Sequence, residues 1–403
     1  MSSTAAVLDV TSVRADFPAL SEGIAHFDGP GGTQVPSAVS DAVAGAMRSA
    51  VSNRHGPFAS SRRADALVLA ARQAVADLVG GEPAGVVLGH SMTANTYVMA
   101  GALAKTWRPG DEVVLSRLDH DADVRPWVQA AARAGAVVRW ADVDVATAEL
   151  PAEQYDRLVT RRTRLVAVTA ASNATGTRPD VRAIADRAHA VGAVVHVDGV
   201  AATPHLATDV RALGADLYAT SAYKWYGPHV GCTVGDPALL ETLHPDKLVP
   251  STDAVPDRFE HGTPSFASHA GVAAAVDWIA GHGQGATRRE RVLSAMDAFA
   301  AHEARVFGRL LDGLSSLEGV RLVGAPARRT PTVAFTVHGR TPQEVSAELG
   351  RRGIAVWAGD YYAFELMTAL GLQEGGGAVR AGVVCSTTDE EVDRLLTAVQ
   401  EVA

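Results

Sequence analysis

The chain has little cysteine. Only Cys232 and Cys385 occur among its 403 residues, and they do not form a Cys-x-x-Cys pair. Two cysteines this far apart do not make the disulfide framework of a small secreted protein, and they cannot supply the thiolates of a typical structural zinc site. We therefore expect no metal site and a reducing, cytoplasmic location.

Other features that the chain lacks narrow its function further. Its formal net charge is −9, from 36 basic and 45 acidic residues, and lysine and arginine form no run, which argues against nucleic-acid binding. Glycine, arginine or aspartate interrupts every apolar run, so no segment is predicted to span a membrane. Residues 1–17 have no basic start followed by a long apolar core, so no signal peptide is predicted.

What is present is a regular alternation of strand-like and helix-like segments between about residue 65 and residue 235. Apolar strand patterns separated by Ala-rich, helix-length segments predict an α/β fold with a mostly parallel sheet covered on both faces. In such sheets, ligands bind beyond the carboxyl ends of the strands. The predicted strands are 86–88, 112–115, 136–140, 165–169, 194–197 and 217–220.

The last hundred residues have a different pattern. A helical pattern covers 288–317, and strand patterns cover 332–337 and 379–384. Thr341 and Thr388 each stand three residues before a glutamate and predict helix caps. These elements predict a small α+β domain, formed by 1–20 together with 288–403, beside a large domain formed by 21–287.

Two charged residues follow neighbouring predicted strands of the large domain. Asp198 ends the segment Val194–Asp198, and Lys224 lies in the aromatic loop Tyr223–Gly227, 26 residues later. Taken alone, Asp198 is equally well explained as a helix cap, and a single lysine usually keeps its ammonium group in water. A lysine surrounded by aromatic side chains instead tends to lose its proton, which makes its amine a nucleophile toward an aldehyde.

An acid and a lysine at adjoining strand ends are the two groups that pyridoxal 5'-phosphate (PLP) chemistry requires. The acid keeps the pyridine nitrogen protonated, so that the ring withdraws electrons, and the lysine binds the aldehyde as a Schiff base. We therefore predict that Lys224 carries PLP and that Asp198 pairs with its ring nitrogen.

With these residues in place, the chain resembles the class V aminotransferases, and among them the cysteine desulfurase and selenocysteine lyase branch. The resemblance runs from Phe27–Gly32 through the Ser221–Pro228 segment to Arg380 and the Thr388 cap. It implies the fold of fold-type I PLP enzymes, with a seven-stranded, mostly parallel sheet, and a homodimer whose active sites are shared between subunits.

The resemblance also implies roles for individual residues. His120 stacks on the PLP ring and joins Lys224 and Asp198 as a catalytic residue, while Arg380 binds the substrate carboxylate. The substrate side chain is expected near His55, Asp360, Tyr361, Tyr362 and Phe266. The remaining residues expected to bind the cofactor are Met92, Thr93, Asn173, Ser221, Tyr223 and, from the neighbouring subunit, Thr263.

The sequence departs from the family pattern at two positions. Tyr362 stands where desulfurases of this branch have the cysteine that accepts sulfur as a persulfide, and a phenol cannot take that role. Ala201 stands where relatives usually have a glutamine or histidine that bonds the ring hydroxyl, which leaves this bond to Asn173, to water or to another residue such as His205.

The family chemistry implies an enzyme that acts on an amino acid through an external aldimine with PLP. Our first hypothesis is a desulfurase-like lyase that cleaves a C–S bond by β-elimination without the persulfide cysteine. An aminotransferase, epimerase or other tailoring enzyme for a specialised amino acid is the alternative. A non-catalytic binding protein is a third reading, against which the joint presence of Lys224, Asp198, His120 and Arg380 argues.

Overall fold

The computed structural model describes residues 8–403. Its strands are β1 (Ala25–His26), β2 (Val86–Gly89), β3 (Glu112–Ser116), β4 (Val137–Ala141), β5 (Thr163–Thr169), β6 (Val194–Asp198), β7 (Leu217–Ser221), β8 (Gly231–Gly235), β9 (Val320–Leu322), β10 (Thr332–Val337), β11 (Ile354–Ala355), β12 (Trp357–Gly359) and β13 (Ala378–Gly382). Its α-helices are α1 (Val10–Ala15), α2 (Ser37–Arg48), α3 (Ala59–Val79), α4 (Met92–Ala104), α5 (Arg125–Ala134), α6 (Tyr155–Leu158), α7 (Val181–His189), α8 (Val210–Leu213), α9 (Pro237–Thr242), α10 (Phe266–Gly281), α11 (Arg288–Ser316), α12 (Pro342–Arg351), α13 (Phe364–Ala369) and α14 (Asp389–Val402).

The centre of the large domain is a seven-stranded sheet in the order β2-β8-β7-β6-β5-β3-β4. The strands from β4 to β7 pair in parallel, and β8 pairs antiparallel with both of its neighbours. Helices cover both faces, as expected for a parallel sheet of apolar strands. The predicted fold class is confirmed, although the strand patterns did not single out β8, whose five residues include two glycines.

The topology of this sheet brings the predicted acid and lysine to one edge. Strands β6 and β7 are parallel neighbours, with Asp198 opposite Ala219. Asp198 is the last residue of β6, and a single 3-10 turn ending at Lys224 follows β7. Both side chains therefore leave the sheet at its carboxyl edge, where ligands bind in folds of this class.

The small domain has a four-stranded antiparallel sheet in the order β12-β13-β10-β9. Both predicted capping boxes are present, at Thr341 with Glu344 and at Thr388 with Glu391. Strand β13 carries Arg380, which faces Trp357 of β12 in the antiparallel register. This sheet thus presents an arginine and an indole side by side.

The N-terminal segment contacts both parts of the molecule. Val13 and Phe17 are buried in the apolar cluster that contains most of the large domain's core, while Arg14 reaches the small domain through Glu391, at 2.9 Å. The assignment of 1–20 to the small domain therefore stays a prediction, and residues 1–7 lie outside the described residues. The predicted boundary at 287 stays a prediction, because α11 contributes side chains to both cores.

The described residues also bear on membrane association. Within 8–403, no helix combines the length and apolar character needed to cross a bilayer.

Candidate active site

Two adjoining cavities lie at the carboxyl edge of the large sheet. We call the smaller one, of about 50 Å³, the inner recess, and the larger one, of about 700 Å³, the outer cavity. The two cavities share several lining residues, so a ligand bound in one contacts residues that also line the other. The shared lining residues are Thr93, His120, Ala122, Asn173, Tyr223 and Lys224.

Lys224 lies at the junction of the two cavities and is buried. Burial and the nearby charge of Arg380 lower the pKa of its amine to about 8, although the charge of Asp198 acts in the opposite direction. A substantial fraction of the amine is therefore neutral near physiological pH. A neutral amine is the form that attacks an aldehyde or accepts a proton.

Asp198 lines the inner recess and is buried. The N–H of Val200 donates a hydrogen bond of 2.8 Å to its Oδ1. Burial raises the pKa of the carboxyl group, and the bond from Val200 and the charge of Lys224 oppose that rise. A buried carboxylate requires a cationic or hydrogen-bonding partner, so a protonated ring nitrogen placed in the recess would satisfy it.

His120 lines both cavities. Its Nδ1 accepts a 3.0 Å hydrogen bond from the N–H of Ala122, which places the proton of the neutral ring on Nε2. Burial, together with the charges of Lys224 and Arg380, lowers the pKa of His120 to about 3. The imidazole is therefore neutral at physiological pH and presents an uncharged ring.

One end of the inner recess has the character of a phosphate site. Met92 and Thr93 line it as the first residues of α4, and Ser91 caps the helix. The first turn of a helix has unpaired N–H groups and favours anions. Ser221 and Tyr223 add hydroxyl groups to the same recess. Sequence reasoning missed Ser91, although a serine before a helix is itself a cap signal.

Asn173 contributes an unsatisfied polar atom to the recess. Its amide donates a 2.8 Å hydrogen bond to the carbonyl of Tyr361, whereas its buried Oδ1 has no partner among the described residues. Ala201 also lines the recess, as the sequence predicted. The suggestion that His205 replaces the missing partner at this position is wrong, because His205 is buried against Glu303, at 2.9 Å, and lines neither cavity.

Arg380 forms the floor of the outer cavity on the side of the small domain. It is buried, and its Nη1 donates a 2.8 Å hydrogen bond to the carbonyl of Asn173. Its guanidinium lies 4.4 Å from the centre of the Tyr361 ring. Burial lowers the pKa of Arg380 to about 10, so it stays cationic at neutral pH. Its buried Nε has no hydrogen-bond partner among residues 8–403.

Comparison with known proteins identifies this arrangement. The model of the family described as "Aminotransferase class-V" matches residues 25–395. The chain belongs to the class V aminotransferase family. It is 38% identical to an uncharacterized protein of Mycobacterium tuberculosis (97% of this chain, 98% of the relative). It is 34% identical to a probable cysteine desulfurase of Pseudomonas aeruginosa, with 96% of each chain covered.

Solved structures agree with this assignment. The crystal structure of the cysteine desulfurase CsdA of Escherichia coli matches with a TM-score of 0.86 at 28% identity, covering 98% of both chains. The protein is thus a PLP-dependent enzyme of the cysteine desulfurase-like group within the class V aminotransferases.

The inner recess fits the cofactor of this family. Its acid, its lysine and its helix N-terminus match the ring nitrogen, the aldehyde and the phosphate of PLP, respectively. The unpartnered Oδ1 of Asn173 is a further group that a ring substituent could satisfy. The described part of the chain contains no group of three or more histidine, cysteine, aspartate or glutamate side chains that could hold a metal ion.

The segment 360–362 forms one wall of the outer cavity. Asp360, Tyr361 and Tyr362 all line it. Tyr361 and Tyr362 adopt left-handed backbone conformations, with φ of 56° and 58°. The N–H of Asp121 donates a 2.6 Å hydrogen bond to the carbonyl of Tyr362, whose ring stacks on His120 with centroids 5.5 Å apart. The segment is therefore fixed against the large domain.

Neither of the two cysteines lies at the candidate site. Cys232 lies in β8, and Cys385 follows β13, and both are free, buried thiols. Burial raises the pKa of each thiol. Because neither residue lines the outer cavity or the inner recess, no thiol of the described chain faces the candidate site.

Three predicted residues lie away from these cavities. His55 is exposed beside Asp65, 3.5 Å from it. Thr263 is exposed on the loop before α10, and Phe266 begins that helix. None of the three lines the outer cavity or the inner recess of its own chain.

Sequence reasoning also missed residues of the outer cavity. Tyr97, Arg125 and Trp357 line it, and each comes from a different element. Tyr97 lies one helical turn after Thr93, a spacing that could have indicated it. Arg125 and Trp357 carry no comparable signal, because only the docking of the small domain brings them together.

Proposed function

We propose that the protein is a lyase that cleaves the Cβ–S bond of a cysteine-derived amino acid without passing sulfur to a protein cysteine. The observation that carries the proposal is the composition of the outer cavity. Lys224, His120 and Arg380 line it, but Tyr362 occupies the place where the resemblance predicts the sulfur-accepting cysteine, and neither of the two cysteines lies nearby.

The cavity residues can bind and orient an amino acid. Arg380 offers a buried guanidinium to the α-carboxylate, with the ring of Tyr361 stacked against it. The substrate amine then lies toward Lys224, at the junction with the inner recess. PLP, when bound, supplies an electron-withdrawing ring that acidifies Cα. Asp198 is placed to keep the ring nitrogen protonated, and neutral His120 offers a ring face.

In this proposal, Lys224 is the residue that removes the proton from Cα of the substrate. Its lowered pKa of about 8 allows the amine to accept the Cα proton near physiological pH. The Cβ–S bond then breaks, and its electron pair leaves with the sulfur, which takes up a proton. Overall, a cysteine S-conjugate and water give a thiol, pyruvate and ammonia, so the reaction needs no oxidant, reductant or protein thiol.

The test is a product assay with the PLP-loaded enzyme. L-cysteine, L-cystine and S-substituted L-cysteines are each incubated with the enzyme, and pyruvate, sulfide and organic thiol are measured. We expect pyruvate and thiol in equal amounts from at least one substrate. Conversion of the cofactor to its amine form without pyruvate would favour the aminotransferase instead, and loss of the Cα–H without either change would favour the epimerase.

We also propose a homodimer in which Thr263 and His55 serve the neighbouring subunit's site. The family resemblance supports it, as does the position of both residues on the surface, outside the cavities of their own chain. Light scattering on the purified protein tests the assembly. A cytoplasmic location is part of the same proposal, supported by two free thiols in the chain.

A further inference from the structure

Aromatic side chains are unusually exposed around the outer cavity. Tyr97, Trp357 and Tyr362 line it and are 40%, 54% and 72% exposed. Phe364, which is 45% exposed, begins helix α13 two residues after Tyr362. A ligand that covers exposed aromatic surface is bound more tightly because that surface is removed from water. Rings that converge on one cavity indicate an apolar ligand.

The structure fixes Trp357 close to the carboxylate-binding arginine. In the β12–β13 register, Trp357 lies opposite Arg380. Its indole packs on Gly31, where a Cβ atom would lie only 2.8 Å from Nε1. The glycine thus permits a contact that a larger residue would block. An amino acid held by Arg380 therefore has an indole beside it.

Ion pairs fix the wall of the outer cavity that carries Tyr361 and Tyr362. Glu365, in the first turn of α13, accepts hydrogen bonds from Arg117 at 2.8 Å and from Arg125 at 2.5 Å. Both arginines belong to the large domain, and Glu365 belongs to the small one. The ion pairs therefore hold the loop that carries Tyr361 and Tyr362, which we call the tyrosine loop, against the large domain. Arg125 also binds Asp121 at 2.7 Å. The charge of Arg125 is therefore already balanced by Asp121 and Glu365. A ligand at this end of the cavity needs no charged group.

The volume of the outer cavity also indicates a ligand larger than cysteine. Its volume of about 700 Å³ is within the range of about 300–1,000 Å³ that is typical of sites for drug-sized ligands. The side chain of cysteine has one carbon and one sulfur, and it would leave the three exposed rings uncovered. Tyr362 fills the place of a cysteine and still leaves this space open.

We propose that the substrates are S-conjugates of cysteine whose sulfur carries an uncharged aromatic group or an apolar group of similar size, with Trp357 and Tyr362 as the residues that select it. The inference rests on the proposed lyase function for the reaction, but binding alone tests it. A substrate of this class places its carboxylate on Arg380 and its S-substituent between the indole and the phenol.

The first experiment measures binding to the PLP-loaded enzyme through the change in cofactor absorbance. The ligands are S-methyl-L-cysteine and S-benzyl-L-cysteine, which differ only in the ring on the sulfur. We expect the benzyl compound to bind about tenfold more tightly, as two added aromatic contacts imply. Equal or weaker binding of the benzyl compound overturns the inference.

The second experiment locates the preference. Trp357→Ala and Tyr362→Ala should each reduce the benzyl-to-methyl affinity ratio about three- to tenfold. Phe58→Ala is the matched control, because Phe58 is 50% exposed and does not line the cavity. It should leave the ratio unchanged. A ratio that survives both cavity variants, or a change in oligomeric mass in place of a change in ratio, overturns the assignment.

The outcomes separate this inference from the proposed reaction. If S-benzyl-L-cysteine binds more tightly than S-methyl-L-cysteine but yields no pyruvate, the lyase proposal is wrong and the proposed substrate class is supported. If both compounds yield pyruvate equally well and bind with equal affinity, the lyase proposal is supported and the proposed substrate class is wrong.

Discussion

The inner recess and the outer cavity are built in different ways. The recess is lined largely by buried side chains at the ends of strands and at the start of a helix, among them Asp198, Lys224 and Met92. The far wall of the outer cavity consists of exposed side chains on loops and on the short strand β12 of the small domain, among them Trp357 and Tyr362. The first depends on the sheet, and the second depends on how one domain docks on the other.

This difference separates chemistry from selectivity. The order of strands in the sheet places the acid and the lysine at adjoining strand ends, so their positions depend on the sheet and not on the loops that face it. The loops that face it can change without disturbing the sheet. We therefore expect changes in the recess to affect every substrate alike and changes in the outer wall to affect substrates according to their size.

The largest effect should come from Lys224→Ala. Among residues 8–403, Lys224 supplies the only amine lining the recess, so covalent attachment of PLP should disappear and turnover should fall by about 10²–10⁴-fold for every substrate. Borohydride reduction followed by peptide mass spectrometry measures the attachment.

Lys105→Ala serves as the control for this variant. Lys105 lies on the surface, 2.7 Å from Asp246, and its loss should leave both attachment and turnover intact. Cofactor that stays covalently bound in the Lys224 variant would refute the assignment of the recess.

A pH dependence should follow from the same residue. Below the lowered pKa of about 8, the amine of Lys224 is mostly protonated and does not attack the aldehyde; above it, the amine is mostly neutral. The rate at which the cofactor-free protein takes up PLP should therefore rise about tenfold for each pH unit below 8 and level off above it. Stopped-flow absorbance measures this rate. A rise that continues to pH 10 would indicate an ordinary, exposed lysine.

The sequence indicated more of the residues that line the recess than of those that line the wall, for a physical reason. Asp198 and Lys224 each follow a strand pattern, and parallel strands bring such ends together whatever the loops do. Tyr361 and Tyr362 were expected near the substrate only through the family resemblance, and their left-handed backbone could not be foreseen for non-glycine residues. Trp357 and Arg125 were missed because they meet only through contacts between domains.

A smaller, selective effect should come from Glu365→Gln. Glutamine keeps one acceptor but loses the charge that holds both arginines, so the tyrosine loop should loosen. We expect the affinity for S-benzyl-L-cysteine to fall about threefold, with the rate of PLP uptake unchanged, because Glu365 does not line either cavity.

Glu348→Gln is the matched control for this charge. Glu348 also binds two arginines, Arg351 and Arg352, but it lies on the surface of α12. An equal loss of affinity in both variants would show that the Glu365 pairs contribute only to general stability.

The smallest effect should come from Tyr362→Phe. The contacts that fix this residue are its backbone carbonyl, bound by the N–H of Asp121, and its ring, stacked on His120. Phenylalanine keeps both, so the affinity for S-benzyl-L-cysteine should change by less than about twofold, whereas Tyr362→Ala removes the ring and should weaken it more. Titrations of the two variants side by side measure the difference. A loss as large with phenylalanine as with alanine would assign the function of Tyr362 to its hydroxyl group, and the outer wall would then take part in the chemistry as well as in selection.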